Sequence, residues 1–144
     1  MVEVKFYDNV ADEFLKFAVI ITKTEKKWVF CKHEERATYE IPGGHREPGE
    51  SILETAKREL QEETGAVDFR IEPICVYSVK GKTRVNENID DETFGMLFIA
   101  DINSFEELHS EIEKILISDK LVENWTYPLI QPILIEEAKK RGFI

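Results

Sequence analysis

Between Phe14 and Thr22 the chain reads F-L-K-F-A-V-I-I-T, an almost continuous apolar run. It falls far short of the ~20 residues that cross a bilayer. A run of this length suits a strand buried on both faces. Other segments fall in around it. Val2 to Tyr7 alternates as a strand does, and Lys27 to Lys32 is the hairpin partner of the Phe14 to Thr22 run across Lys23-Thr24-Glu25-Lys26, a turn without glycine whose type the residues leave open. Val67 to Val79 reads as a strand with a bulge or break at Pro73. Phe94 to Ile102 reads as another core strand, and the polar stretch Lys80 to Asp91 before it as a loop suited to carrying binding residues. Glu111 to Ile117 fits either a short strand or a helix turn. From Trp125 to Lys140, apolar Leu129, Ile133, Leu134 and Ala138 followed by Lys139-Lys140-Arg141 predict an amphipathic helix with cations at its C-terminal end. Strands interspersed with two helices point to the α/β class, a mixed sheet covered on both faces.

The second helix lies in the stretch Gly44 to Ala66, G-H-R-E-P-G-E-S-I-L-E-T-A-K-R-E-L-Q-E-E-T-G-A. Pro48-Gly49 makes a turn, Ser51-Ile52-Leu53-Glu54 is a capping box, and Gly65 is a C-cap. Glu59, Glu62 and Glu63 then fall within an arc of roughly 100° at 3.6 residues per turn. Glu62 and Glu63 sit in the last turn, where the helix dipole disfavours anions by about 0.3–1 kcal/mol each. A helix shaped for stability alone places Lys or Arg there. Hard oxygen donors clustered at that cost suit Mg²⁺ or Mn²⁺, which would offset the repulsion. The bland alternative is a solvated acidic face. Gly44, four residues, then Gly49-Glu50-Ser51 has Walker A spacing, but Glu50 stands where the phosphate-binding lysine belongs, which excludes a P-loop.

Gly44, five residues, Glu50, seven residues, then Arg58-Glu59-Leu60-Gln61-Glu62-Glu63-Thr64-Gly65 resembles the signature of the Nudix (MutT-like) hydrolases. Tyr39-Glu40-Ile41-Pro42-Gly43-Gly44 is similar to the usual entry into it. Ala66 departs from the larger aliphatic residue usual at the last position. The resemblance implies a Nudix-type α/β/α sandwich forming a single domain over residues 1–144, with the signature at 44–66. It implies a hydrolase of acid anhydrides that cleaves the pyrophosphate of a nucleoside diphosphate derivative by attack of water, with Mg²⁺, or Mn²⁺, as cofactor. A nucleoside triphosphate, oxidised or not, leads the expected substrates. Nucleotide sugars, dinucleotides, RNA 5′ ends and a non-catalytic nucleotide-sensing role are the alternatives.

Carried over residue by residue, Gly44, Glu59, Glu62 and Glu63 are the expected metal ligands. Arg58 orients the carboxylates, and Glu50 is its charge partner or an outer ligand. The general base is a signature glutamate or one from a later segment: Glu106, Glu107, Glu111 or Glu113, with Glu111 first. His33, His45 and His109 read as surface or turn residues, since no paired histidine spacing supports zinc. Tyr39, Phe6, Tyr77 and Phe94 offer stacking surfaces for a base, and Lys32, Arg36, Lys80, Lys82 and Arg84 offer cations for phosphates.

A net charge of −10 argues against polymeric DNA, whose binding rests on Lys and Arg against phosphates. Small nucleotides remain compatible, since a metal carries part of their charge. The charged, alternating N-terminus is unlike a signal peptide, so a cytoplasmic location away from membranes is the default expectation. Cys31 and Cys75 in apolar segments read as buried free thiols. The resemblance admits a homodimer, and no residue marks its interface.

Overall fold

The computed structural model describes residues 2–83, 86–107 and 112–144. The apolar run becomes β2 (Leu15–Thr24), flanked in the chain by β1 (Glu3–Tyr7) and β3 (Lys27–His33). There follow β4 (Gly43–His45), α1 (Ile52–Thr64), β5 (Ala66–Lys80), β6 (Glu92–Phe105), β7 (Ile112–Ser118) and α2 (Gln131–Lys140). The strands form one sheet in the order β1-β5-β6-β2-β3-β7, with β4 added to β2. β2 and β6 run parallel at its centre, and the remaining pairs are antiparallel.

Alternation along β2 sends successive side chains to opposite faces, and both faces are covered. Ala18 and Ile20 pack with Phe98, Ala100 and Ile102 of β6 beneath Ala56 and Leu60 of α1. Ile21 packs with Phe30 and Leu97 beneath Leu134, Ile135 and Ala138 of α2. The result is the α/β/α sandwich with a mixed sheet. No helix among the described residues is long and apolar enough to cross a membrane.

The open points resolve locally. The β2–β3 turn places both Glu25 (φ 50°) and Lys26 (φ 68°) in the left-handed region between paired Thr24 and Lys27. Two-residue hairpins of type I′ need this backbone at both central positions, and here non-glycine residues supply it. At Pro73 the β5–β6 register shifts before Cys75, the bulge that a strand proline without a donor produces. Of the segment Glu111 to Ile117, the described residues from Ile112 on form a strand, since β7 pairs along β3, and Glu111 lies outside the described residues. Both cysteines are free and buried.

The C-terminal helix is shorter than its periodicity suggests. α2 begins at Gln131, not Trp125, and Leu129 (61% exposed) and Ile133 (42%) face outward. Proline decides this: Pro128 biases its predecessor away from helix, and Pro132 is tolerated only because it stands in the first turn. Trp125 instead bridges Tyr39, so the segment before α2 lies along the strand entry to Gly43.

Candidate functional site

α1 starts where its residues dictate. Ser51 Oγ accepts from the Glu54 amide at 3.1 Å, and Glu54 Oε1 accepts from the Ser51 amide at 2.8 Å. Gly65 ends the helix at φ 76°. Its carbonyl accepts from the Glu106 amide at 2.7 Å, so the segment after β6 begins beside the acidic end of α1. β4 lies against β2 with Gly43 opposite Val19 and Gly44 opposite Ala18, which brings the glycine pair next to that same end.

Both glycines are required by close approach. A Cβ on Gly44 would stand 2.5 and 2.7 Å from the carboxylate oxygens of Glu59, and one on Gly43 would stand 2.6 Å from the Ala18 carbonyl oxygen. The Glu59 carboxylate therefore rests against bare backbone. The Gly43 amide donates to Glu63 Oε1 at 2.7 Å.

Arg58 organises the outer side of the cluster. Its Nε and Nη2 donate to the two oxygens of Glu50 at 2.6 and 3.1 Å, a bidentate pair. Its Nη1 reaches Glu59 Oε1 at 2.8 Å and Glu62 Oε2 at 3.4 Å, and Nη2 reaches the His45 carbonyl at 3.0 Å. The guanidinium, then the Glu47 amide, hold the Glu50 carboxyl down at about 2. Glu59 moves the other way, pushed up to about 7 by burial and by the charge of Glu63, against the pull of Arg58.

The inner side was not legible in the sequence. His33, expected at the surface, ends β3 with Nε2 3.3 Å from Glu63 Oε2 and 3.7 Å from Glu40 Oε2. Glu40 is buried and takes Arg36 Nη1 at 2.8 Å. Burial raises the Glu63 carboxyl, and the His33 and Gly43 donors oppose that rise. The bond to Glu63 leads the causes that raise His33. Glu63 meets Gly43 and His33, 20 and 30 positions away in the chain, because strand pairing sets β3 and β4 beside α1, and no spacing rule encodes that. Cys31 lies in the same layer, but burial pushes its thiol well up and leaves it a packing residue.

The donors are all oxygen, which fits a hard divalent cation. As placed, no three carboxylate, histidine or thiol groups among the described residues converge on one point. Arg58 Nη1 lies between Glu59 and Glu62, and both oxygens of Glu63 face protein donors. Of the three glutamates, Glu62 has the most open side chain, at 52% exposed. Of the candidate bases, Glu106 and Glu107 are exposed near the helix end. Glu111 lies outside the described residues, as do Arg84 and His109, and the Glu113 side chain does too.

On the α2 side of the glycine pair a cavity of about 160 Å³ opens, lined by Phe17, Val19, Gly43, Gly44, Tyr77 and Gln131 among others. Tyr77 is the one of the four aromatic candidates that lines it. Phe6 and Tyr39 pack against the α2-side core, and Phe94 meets Tyr7 and Phe14 instead. A wider groove of about 1070 Å³, lined by Lys57, Gln61 and the first half of β5, contains none of the clustered glutamates. The smaller cavity is the one continuous with the chemistry.

A model described as the NUDIX domain matches residues 13–131. The chain is 29% identical to YtkD of Bacillus subtilis, named a candidate 8-oxo-dGTP diphosphatase, over 99% of this chain and 92% of that one. Among solved structures, a mutant of the Bacillus subtilis pyrophosphohydrolase BsRppH is similar at a TM-score of 0.79 and 28% identity, covering 99% and 92% of the two chains. A NUDIX hydrolase from Nitrosomonas europaea is similar in fold at a TM-score of 0.68 and 22% identity, covering 88% and 89%.

Proposed function

The chain belongs to the NUDIX family and is a hydrolase of pyrophosphate bonds, and on that premise we propose that it cleaves nucleoside triphosphates with Mg²⁺ at the Glu59–Glu62–Glu63 cluster. One observation carries the reading. The apolar cavity and the carboxylate cluster share the Gly43–Gly44 backbone as a common wall. A base seated in the cavity directs its phosphates along that wall toward the glutamates. A divalent cation, when bound, supplies charge neutralisation at the phosphoryl oxygens. Glu59, Glu62, Glu63 and the backbone of Gly44 would hold it.

The chain's own groups do the rest. Arg58 keeps Glu50, Glu59 and Glu62 on one side of α1 and prevents their charges from driving them apart. His33 and the Gly43 amide hold Glu63 from behind. The proton of the attacking water goes to a carboxylate held close to it, and Glu59, fixed against the Gly44 backbone, is the signature glutamate we assign to this role. Glu111 is the rival for this role. Of Glu59→Gln and Glu111→Gln, the variant that removes the base should lose the acidic limb of the pH–rate profile along with turnover, and the other should keep the profile's shape.

The defining test is product release from nucleoside triphosphates, oxidised triphosphates, nucleotide sugars, dinucleoside polyphosphates and triphosphorylated RNA, with Mg²⁺ or EDTA. Metal-dependent turnover of triphosphates that disappears in Glu62→Gln supports the reading. Preferential turnover of RNA, falling steeply with salt, moves the substrate to RNA ends. Nucleotide-induced stabilisation without turnover makes the domain a sensor.

A further inference from the structure

Gln131 opens α2 at the wall of the small cavity, and its side chain is fixed in one sense. Its Oε1 accepts from the Ile41 amide at 2.9 Å, and Ile41 is itself 1% exposed. A buried backbone N–H facing the amide demands an acceptor, so the carboxamide cannot turn over without orphaning Ile41. The Nε2 group is thereby left pointing elsewhere. It has no hydrogen-bond partner among the described residues, although Gln131 is only 4% exposed. It is not sealed in either, since no fully buried side-chain polar atom among the described residues lacks a partner. The open space that Gln131 meets is the cavity.

The floor of the cavity has its own geometry. Tyr77, Gly95, Phe17 and His45 lie opposite one another across β5, β6, β2 and β4. A Cβ on Gly95 would stand 2.8 Å from the Tyr77 ring and hydroxyl, so the ring lies across β6 toward Phe17. Phe17 and His45 pair at 4.3 Å between ring centroids. A planar base has an aromatic surface to rest on and, in Gln131, a polar group of fixed sense to satisfy; the Glu40 carboxylate, which also lines the cavity, is engaged by Arg36 and His33. The Tyr77 hydroxyl both donates and accepts, so it does not discriminate.

From this we infer that Gln131 is a specificity residue that reads the base through a donor locked by Ile41, selecting a ring carbonyl over an exocyclic amino group. Hypoxanthine, guanine and uracil nucleotides satisfy Nε2 with their keto oxygen. Adenine and cytosine present an N–H₂ at the corresponding edge position, donor against donor. Either the bases fail to seat or a desolvated donor goes unpaired. The inference rests on the pyrophosphohydrolase reading for its reaction but not for its binding arm.

Two pairs of substrates isolate the group: ITP against ATP, and UTP against CTP. The keto member of each pair is expected to have the higher kcat/KM by roughly 10- to 100-fold. Gln131→Glu keeps an oxygen for the Ile41 amide and turns the free end into an acceptor, and should collapse or invert both ratios. IMP and AMP affinities by calorimetry, on the wild-type chain, give the same comparison without turnover, and they decide the matter if the variant fails to fold. Equal efficiency within each pair, or IMP and AMP binding equally or not at all, overturns the role of Gln131 while leaving triphosphate hydrolysis intact. Tighter IMP binding with no triphosphate cleaved keeps that role and sinks the hydrolysis reading instead.

Discussion

Gly44 and Glu59 show how a single hydrogen in place of a methyl group sets the site. The carboxylate occupies the space where a side chain would start, so Gly44→Ala must displace Glu59 from the cluster. A displacement on the order of 1 Å at a catalytic group costs about 100-fold in rate. We expect a loss of that order in kcat/KM and weaker Mg²⁺ binding by calorimetry, with the circular dichroism spectrum unchanged. Glu59 also couples stability to pH. Its carboxyl rises from 4.5 to about 7 on folding. The native state then holds a proton that the unfolded chain has released, so the stability from this group is complete below 4.5 and is lost as pH rises through 7. The Tm of metal-free protein should fall between about pH 5 and about pH 8, less steeply in Glu59→Gln. Saturating Mg²⁺ should restore the wild type at the upper end. An unchanged slope in the variant would show that Glu59 titrates normally.

Among the elements, α1 was readable in full and α2 was not. Ser51, Glu54 and Gly65 are local signals, acting within one turn of the residues they cap, and the helix ends where they stand. α2 has no side-chain cap, and its start is decided by two prolines and by the strand-like bridge of Trp125 to Tyr39, a contact between distant segments. The β2–β3 turn is the opposite kind of case, correct in place but with residues its backbone disfavours. Left-handed backbone costs a non-glycine residue roughly 1–2 kcal/mol. Replacing Glu25-Lys26 with Asn-Gly should therefore raise unfolding free energy by about 1 kcal/mol in urea titrations. No gain would mean that the Glu25 and Lys26 side chains make compensating contacts.

For the whole molecule, two cores meet at one strand. Ile20 serves the α1 layer and Ile21 the α2 layer, and both are fully buried. Ile→Val at either should cost roughly 0.5–1.5 kcal/mol. Because the sheet separates the two layers, the double variant should be additive within about 0.5 kcal/mol; strong coupling would mean the layers communicate through β2. Strand and helix periods, caps, the bulge at Pro73 and the acidic arc of α1 were all legible in order along the chain, because each arises from residues within a few positions of one another. A mixed sheet covered on both faces followed from strands interspersed with two helices, and the α/β/α sandwich from the resemblance to the Nudix hydrolases. What the chain order could not reveal is everything made by juxtaposition: His33 behind Glu63, Glu40 between His33 and Arg36, and the cavity wall shared by Gly43, Tyr77 and Gln131. Those neighbours come from β-strand register and from the docking of α2. Backbone pairing that carries no residue code brings them together, and burial then sets their charge and the direction of their hydrogen bonds.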